Sequence, residues 1–290
     1  MKKASDNIFI PLILIAPAIL FLILIILIPS IQALVMSLTN YTAGRTFDFI
    51  GLSNYFNILS DPKFLKVLLN NLYFMFGDVS LELLIGLSGA LLLNRRFPLQ
   101  SLWISLILAP YAISSVVSVA IWKYMLDPSY GIINYLITSL GFEPIIWLST
   151  PLTSFIPIIL VNAWKNSPFI FIISYGALTS IPLEIIDASK IDGVTSFKFF
   201  RLVALPLIAP ALIIGLLFRI IFVLRAFEIV WLFTGGGPGR STEILSLLMY
   251  KEAFLYFNYG KASAISWIML IITFILSIYI VKKSYRNVLR

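Results

Sequence analysis

Six long apolar runs divide the chain, near residues 8–38, 65–94, 101–124, 153–181, 207–233 and 260–282. Each reaches the ~20 residues that a helix needs to cross a hydrocarbon core about 30 Å thick, so the pattern predicts six membrane-spanning helices. Polar positions gather in the short segments between them. Residues 39–63 mix turn formers with aromatics in Gly51-Leu52-Ser53-Asn54-Tyr55-Phe56, and the stretch from Tyr130 to Leu148, with Trp147 near its end, reads as short and amphipathic. Both suit the headgroup level. Thr234-Gly235-Gly236-Gly237-Pro238-Gly239 is a sharp break, after which Ser241-Thr242-Glu243 offers a helix start leading an outer helix into the sixth span.

The segment from Ile181 to Pro206 is patterned for water. Pro182 suits the first helical position, Leu183 to Asp192 is helix-compatible, and Gly193 suits a left-handed C-terminal cap. Thr195 or Ser196 can cap a second helix, with Phe197 and Phe200 on one face and Lys198 and Arg201 on another, before Pro206 marks the entry of the fifth span. The pattern predicts a helix, glycine corner, helix unit lying along the membrane surface, with Ile185, Ile186, Ile191 and the phenylalanines as its contact face. An ordinary interfacial loop is the plain alternative. Glu184, Asp187 and Asp192 would face an anionic leaflet, however, which favours a protein partner carrying basic groups.

Composition sharpens the class. The 290 residues are 60% hydrophobic and 12% charged, with a mean hydropathy of +1.00, against the quarter of charged residues usual in a soluble domain. This reads as an all-α integral membrane protein, a single transmembrane domain over residues 1–290 with a surface loop at 182–206. The first run follows a charged start but is too long, and lacks the small-residue cleavage site, for a signal peptide. With no Cys and no His, disulfides, thiolate metal sites and the usual imidazole chemistry are excluded, and no cofactor is expected. The net charge of +8 reflects topology rather than nucleic-acid binding. Lys2, Lys3, Arg95, Arg96, Lys190, Lys198, Arg201, Lys282, Lys283, Arg286 and Arg290 fall on one side if six spans alternate, while the other side carries fewer basic residues over longer loops. The denser side is expected to be cytoplasmic, with both termini on it. The glycine cluster lacks the G-x-x-x-x-G-K-[ST] order of a phosphate-binding loop, so any ATP-driven step requires another subunit.

Ionisable groups within a span are costly and usually face a bundle interior. Asp78 and Glu82 lie one turn apart in the second run, Lys165 in the fourth, and Arg219, Arg225 and Glu228 in the fifth. Asp78, Glu82 and Arg225 are expected to make interhelical pairs. Tyr111 and Ser115 share a helical face at i, i+4, and Asn162, Lys165, Asn166 and Phe169 form a stripe at i, i+3, i+4, i+7. Amides, hydroxyls and aromatic rings are what a sugar path requires, since hydroxyls need donors and acceptors and a pyranose face can lie on a ring. A polar seam that only joins helices is the alternative.

Ile181-Pro182, Glu184, Asp187-Ala188-Ser189 and Ile191-Asp192-Gly193, followed by Leu205-Pro206, resemble the cytoplasmic coupling motif of binding-protein-dependent ABC importer permeases. The likeness is to the subfamily for maltose, glycerol phosphate and other oligosaccharides, and extends to Pro110-Tyr111-Ala112, Asn162-Ala163-Trp164 with Pro168, Thr234-Gly-Gly-Gly-Pro, and Tyr250 to Gly260. The resemblance implies a type I importer permease fold and a coupling role for Glu184, Asp187, Ala188, Ser189, Asp192, Gly193 and Phe197, seated in a cleft of a cytosolic ATPase subunit. Asp187 stands where the family usually has Glu. It also implies cargo contacts at Tyr111, Ser115, Asn162, Lys165, Asn166, Phe169, Arg219 and Phe222, with Val223 and Ala226 matching further positions but lacking the family's polar side chains. The expected partners are a second homologous permease, two ATPase subunits that bind ATP and Mg, an extracytoplasmic binding protein and the lipid bilayer. The large cations Lys165 and Arg219 point to an anionic or differently sized cargo as an alternative. An ion-coupled secondary transporter is a rival, although residues 1–145 and 146–290 show no repeat. A membrane scaffold that moves nothing is a third reading.

Overall fold

A computed structural model describes residues 9–44, 48–95 and 98–288, and the surroundings of side chains from residue 13 to 283 within them. Lys2, Lys3, Arg96 and Arg290 lie outside the described residues, as does the side chain of Arg286. Among the described residues all regular elements are helical, apart from one isolated bridge between Thr39 and Phe49. The chain divides into two units, Met1–Asp61 with Met249–Ile268 and Pro62–Leu248 with Met269–Arg290.

In the first unit α1 (Phe9–Leu22), a π-helical stretch (Ile23–Leu27) and α2 (Ile28–Ser37) follow one another to form the first span. Its window of greatest hydropathy buries no residue within the chain, as expected of a helix apolar on all sides. A polar knot stops it. The Ser37 and Tyr55 hydroxyls lie 2.7 Å apart, and Asn54 Nδ2, in α3 (Ser53–Ser60), donates to the carbonyls of Ser37 and Thr39 at 2.9 and 2.8 Å. In the same unit Glu252 pairs with Lys261 at 2.7 Å and accepts from Asn258 at 3.1 Å, closing the turn between Leu255 and Tyr259.

The second unit runs through α4 (Pro62–Leu93), α5 (Gln100–Ala112), α6 (Ser115–Met125), α7 (Ile132–Ser139), α8 (Pro151–Thr179), α9 (Leu183–Ile191), α10 (Ser196–Phe199), α11 (Leu205–Leu224) and α12 (Glu228–Thr234). Then follow α13 (Leu245–Tyr250) and α14 (Tyr259–Val288), which carry the chain into and back out of the first unit. The α4–α8 pair makes the most extensive contact, and α11 packs on both. Phe74, Ile158, Val161, Ile170 and Phe171 are buried in this three-helix core. The close approach is made by Gly86, where an added Cβ would lie 2.8 Å from Ile170 Cβ, Phe171 N and Ser167 O. Small residues at such crossings let backbones meet where apolar burial against lipid supplies no driving force.

Three expectations change in the structure. The third apolar run is not one straight span: α5 and α6 meet at 100°. Pro110 has no N–H to continue the ladder, Ile113 is extended, and the Ser114 hydroxyl caps α6 by accepting from Val117 N at 3.3 Å. The fifth run also stops early, at Leu224, so Arg225 and Glu228 lie beyond the span rather than inside it. The open carbonyl of Ala226 accepts from the Ser246 hydroxyl at 2.6 Å. Lastly, Ser241-Thr242-Glu243 does not begin a helix. These residues are buried in a knot in which Thr234 and Thr242 hydroxyls meet at 2.7 Å and Asn70 of α4 donates to the Glu243 carbonyl at 3.0 Å, and α13 starts only at Leu245.

Replacing Gly86 by Ala forces backbone apart at the α4–α8 crossing and is expected to cost about 1–3 kcal/mol. Thermal denaturation of the detergent-purified protein checks this against Gly176→Ala, where an added Cβ meets nothing within 4 Å.

Candidate transport site and coupling helix

The core helices bring polar side chains to one cavity of about 320 Å³. Ser115 enters from the first turn of α6, Asn162, Lys165 and Asn166 from α8, and Arg219 and Phe222 from α11. The α8 stripe survives as drawn from the sequence because Pro157 and Pro168 leave that helix unbroken from Pro151 to Thr179. A capping box fixes its start, Thr150 and Thr153 each accepting from the other's amide at 3.2 Å. Phe169 reaches the site only through Phe222, ring centroids 6.1 Å apart and nearly perpendicular. Tyr111 does not share a face with Ser115. The 100° bend between them leaves Tyr111 near the end of α5, outside the cavity's lining and 46% exposed.

Arg219 is not a free cation. Its Nε and Nη2 both bond the carboxylate of Glu82 on α4, and Asp78 Oδ2 stands 3.9 Å from Nη2, all three residues being buried. The guanidinium also lies over the Phe222 ring, 5.8 Å from its centroid. One arginine between two carboxylates is therefore a joint between α4 and α11 at the cavity wall, as expected of Asp78 and Glu82, and it takes Arg219 out of the argument for an anionic cargo. Arg225, expected to make an interhelical pair, makes no ion pair among the described residues. It lines the cavity instead, with Phe227, Glu228 and Ile229. Sequence reading missed these four because they sit past the end of α11. The available signal was the Arg225-Ala226-Phe227-Glu228 interruption between apolar runs.

Residues 182–199 form the predicted unit. The chain leaves α9 by a paired turn, Gly193 N donating to Lys190 O at 3.1 Å and Val194 N to Ser189 O at 3.0 Å, with Gly193 at φ +66°. A left-handed residue there satisfies the last carbonyls of the helix at no steric cost to glycine. Glu184, Asp187, Ala188 and Asp192 are exposed, while Ser189 is half-buried and its hydroxyl returns to Ile186 O at 2.6 Å. The contact face differs from expectation. Ile186, Phe199 and Phe200 turn inward and pack on a cluster that includes Leu178, Ile181, Ala204 and Ile208. Leu183, Ile191 and Phe197 point out, 70%, 86% and 71% exposed. Nor does Pro206 open a new helix, because α10 runs through a π-helical stretch (Phe200–Ala204) into α11. Asp187 holds Lys190 at 2.8 Å, an exposed pair within one helix.

A family profile described as the binding-protein-dependent transport system inner membrane component matches residues 82–288. The chain belongs to that family. It is a multi-pass membrane permease, a non-catalytic component, and this decides against the secondary-transporter and scaffold readings. The trehalose/maltose transport system permease protein MalF of Thermococcus litoralis is 39% identical over 231 residues, covering 79% of this permease and 76% of the relative. The sulfoquinovosyl glycerol transport system permease protein SmoG of Agrobacterium fabrum is 33% identical over 258 residues, covering 88% and 84%. Among solved structures, a chain of a bacterial alginate ABC transporter in complex with an alginate pentasaccharide-bound periplasmic protein superposes with a TM-score of 0.85, at 19% identity and over 99% of both chains. That likeness concerns the fold.

Removing Glu82 strands a buried guanidinium. Glu82→Ala is expected to cost about 3–5 kcal/mol, and Asp78→Ala less, because only Glu82 bonds Arg219 directly. Denaturation midpoints of the purified variants check the order.

Proposed function

We propose that this permease carries a sugar or oligosaccharide inward, as one of two homologous permease subunits standing on two cytosolic ATPase subunits and fed by an extracytoplasmic binding protein. Both termini face the cytosol. The chain acts as one transmembrane domain and holds no cofactor, ATP and Mg being bound by its partners. The observation that carries the reading is the exposed face of α9 and its corner. Leu183, Ile191 and Phe197 lie beside Glu184, Asp187 and Asp192 on a unit fixed to the bundle by Ile186 and Phe199. A rigid helix presenting bare apolar groups next to acids suits a desolvated protein cleft with a basic group better than it suits an anionic leaflet.

The cavity supports the cargo class. Ser115, Asn162, Asn166 and Lys165 supply hydrogen-bonding groups, and Phe222 and Phe227 supply apolar faces, which is the mixture a pyranose needs. The MalF relative is named for trehalose and maltose, and the SmoG relative for sulfoquinovosyl glycerol. Transport follows from alternating access: closure of the ATPase pair, taken up at α9, biases the paired bundles toward an outward opening, and hydrolysis lets them return.

Mild-detergent purification is expected to bring down a second permease and ATPase subunits. With the binding protein added, trehalose, maltose or an alginate oligosaccharide should raise ATP turnover of the reconstituted complex. Asp187→Lys, which replaces the acid of the Lys190 pair by a like charge, is expected to leave the permease inserted while lowering ATPase recovery or cargo-driven turnover severalfold. Undiminished turnover in that variant would rule out the coupling role.

A further inference from the structure

The cavity holds three ionisable groups whose charge no other described residue neutralises: Lys165 on α8, and Arg225 and Glu228 on either side of the link from α11 to α12. Arg219, the fourth, is spent on Glu82. Hydrogen-bonding capacity is equally uneven. Asn162 Oδ1 already accepts from Asn166 Nδ2 at 3.1 Å, and that amide nitrogen also donates to Asn162 O at 2.9 Å. Donors remain plentiful in Lys165 and Arg225. Strong acceptors do not, and Glu228 is the one charged acceptor in the lining.

We infer that Arg225 and Glu228 are cargo-binding residues, Glu228 accepting hydrogen bonds from sugar hydroxyls while Lys165 and Arg225 donate to sugar oxygens. The inference rests on the sugar-import reading and adds a sign to it. A hydroxyl cargo gains from the Glu228 carboxylate, because hydrogen bonds to a charged acceptor are the strong ones in a partly dry site. A cargo carrying its own carboxylate or sulfonate beside Glu228 is repelled by it. The break in the helix serves this chemistry, since α11 ends at Leu224 and the Arg225 and Glu228 side chains reach the cavity from a link whose free carbonyl, Ala226 O, is satisfied by Ser246 rather than by the ladder.

The test uses the permease–ATPase complex without its binding protein and measures direct binding of whichever radiolabelled neutral sugar, trehalose or maltose, drives turnover in the wild type. Glu228→Gln is expected to raise Kd about tenfold, with Glu228→Asp in between and Arg225→Gln weakening binding in the same direction. Thermal midpoints should stay put, which a merely structural role would not allow. If Glu228→Gln fails to assemble, Glu228→Asp and Arg225→Gln decide the matter by the same measurement. An unchanged Kd overturns the inference, and a lowered one overturns it in favour of an acidic cargo. Turnover without measurable wild-type binding also overturns it while leaving sugar import standing. If only an alginate oligosaccharide drives turnover, the inference is overturned while sugar import stands; if neither it nor trehalose nor maltose does, the sugar reading itself fails.

Discussion

A chain surrounded by hydrocarbon has no water to satisfy a backbone group that leaves its helix, so every interruption must bring its own partner. Two interruptions in the second unit do so, and a third, at the exposed corner after α9, is closed in the same way. Ser114 takes the Val117 amide where α5 turns into α6, Ser246 takes the Ala226 carbonyl where α11 stops, and the paired turn at Gly193 closes α9 on itself. These same places carry the groups with chemistry to offer. Ser115 follows the first, Arg225 and Glu228 flank the second, and the acidic face of α9 precedes the third. The breaks add polar groups to those that the unbroken α8 stripe already presents, and each break is possible because a nearby hydrogen bond satisfies the backbone it exposes.

Charge is managed by the same economy. Two carboxylates one turn apart on α4 face one guanidinium on α11, and the direct double bond goes to Glu82 while Asp78 stands off at 3.9 Å. A buried pair of this kind adds little net stability over an apolar substitute, yet losing one partner is costly, so it works chiefly to hold two helices in one register. Here the register matters because Arg219 and Phe222 are on the same face of α11 as the cavity, and Phe222 packs under the guanidinium. The joint fixes the wall against which cargo would lie.

Much of this was legible in the sequence, and the misses share a cause. Apolar length located the spans, and Asn162, Lys165 and Asn166 met in one cavity because a continuous helix preserves the i, i+3, i+4 spacing on which they were grouped. Gly193 was read correctly because a positive φ leaves a mark on residue type. Tyr111 was grouped with Ser115 on the assumption that the third run was straight, and periodicity says nothing about a bend that depends on Pro110, an extended Ile113 and a capping Ser114 acting together. Arg225 and Glu228 were assigned to the span interior for the same reason. Ile186 and Phe199 were counted as contact surface because an amphipathic pattern does not reveal which apolar residues its own bundle will claim.

On the proposed function, the covalent path from α9 to the cavity explains how displacement at one end could matter at the other. α8 passes through Ser180, Ile181 and Pro182 into α9, and α10 continues through its π-helical stretch into α11, so the two helices that carry half of the cavity's lining residues both end in the coupling unit. From Thr179 back to Asn162 a helix spans about 25 Å at 1.5 Å per residue. Ile186 and Phe199 clamp the unit between these two helix ends through Leu178, Ala204 and Ile208, leaving little room for α9 to move without them. At the far end α11 stops at Leu224, and the three-residue link 225–227 before Glu228 turns back on the helix, Arg225 N donating to Phe222 O at 3.1 Å and Ala226 N to Val223 O at 3.0 Å. On that reading a displacement of α9 is carried along α8 and α11 to the charged side chains that line the cavity, and the continuous helices need no internal rearrangement to carry it.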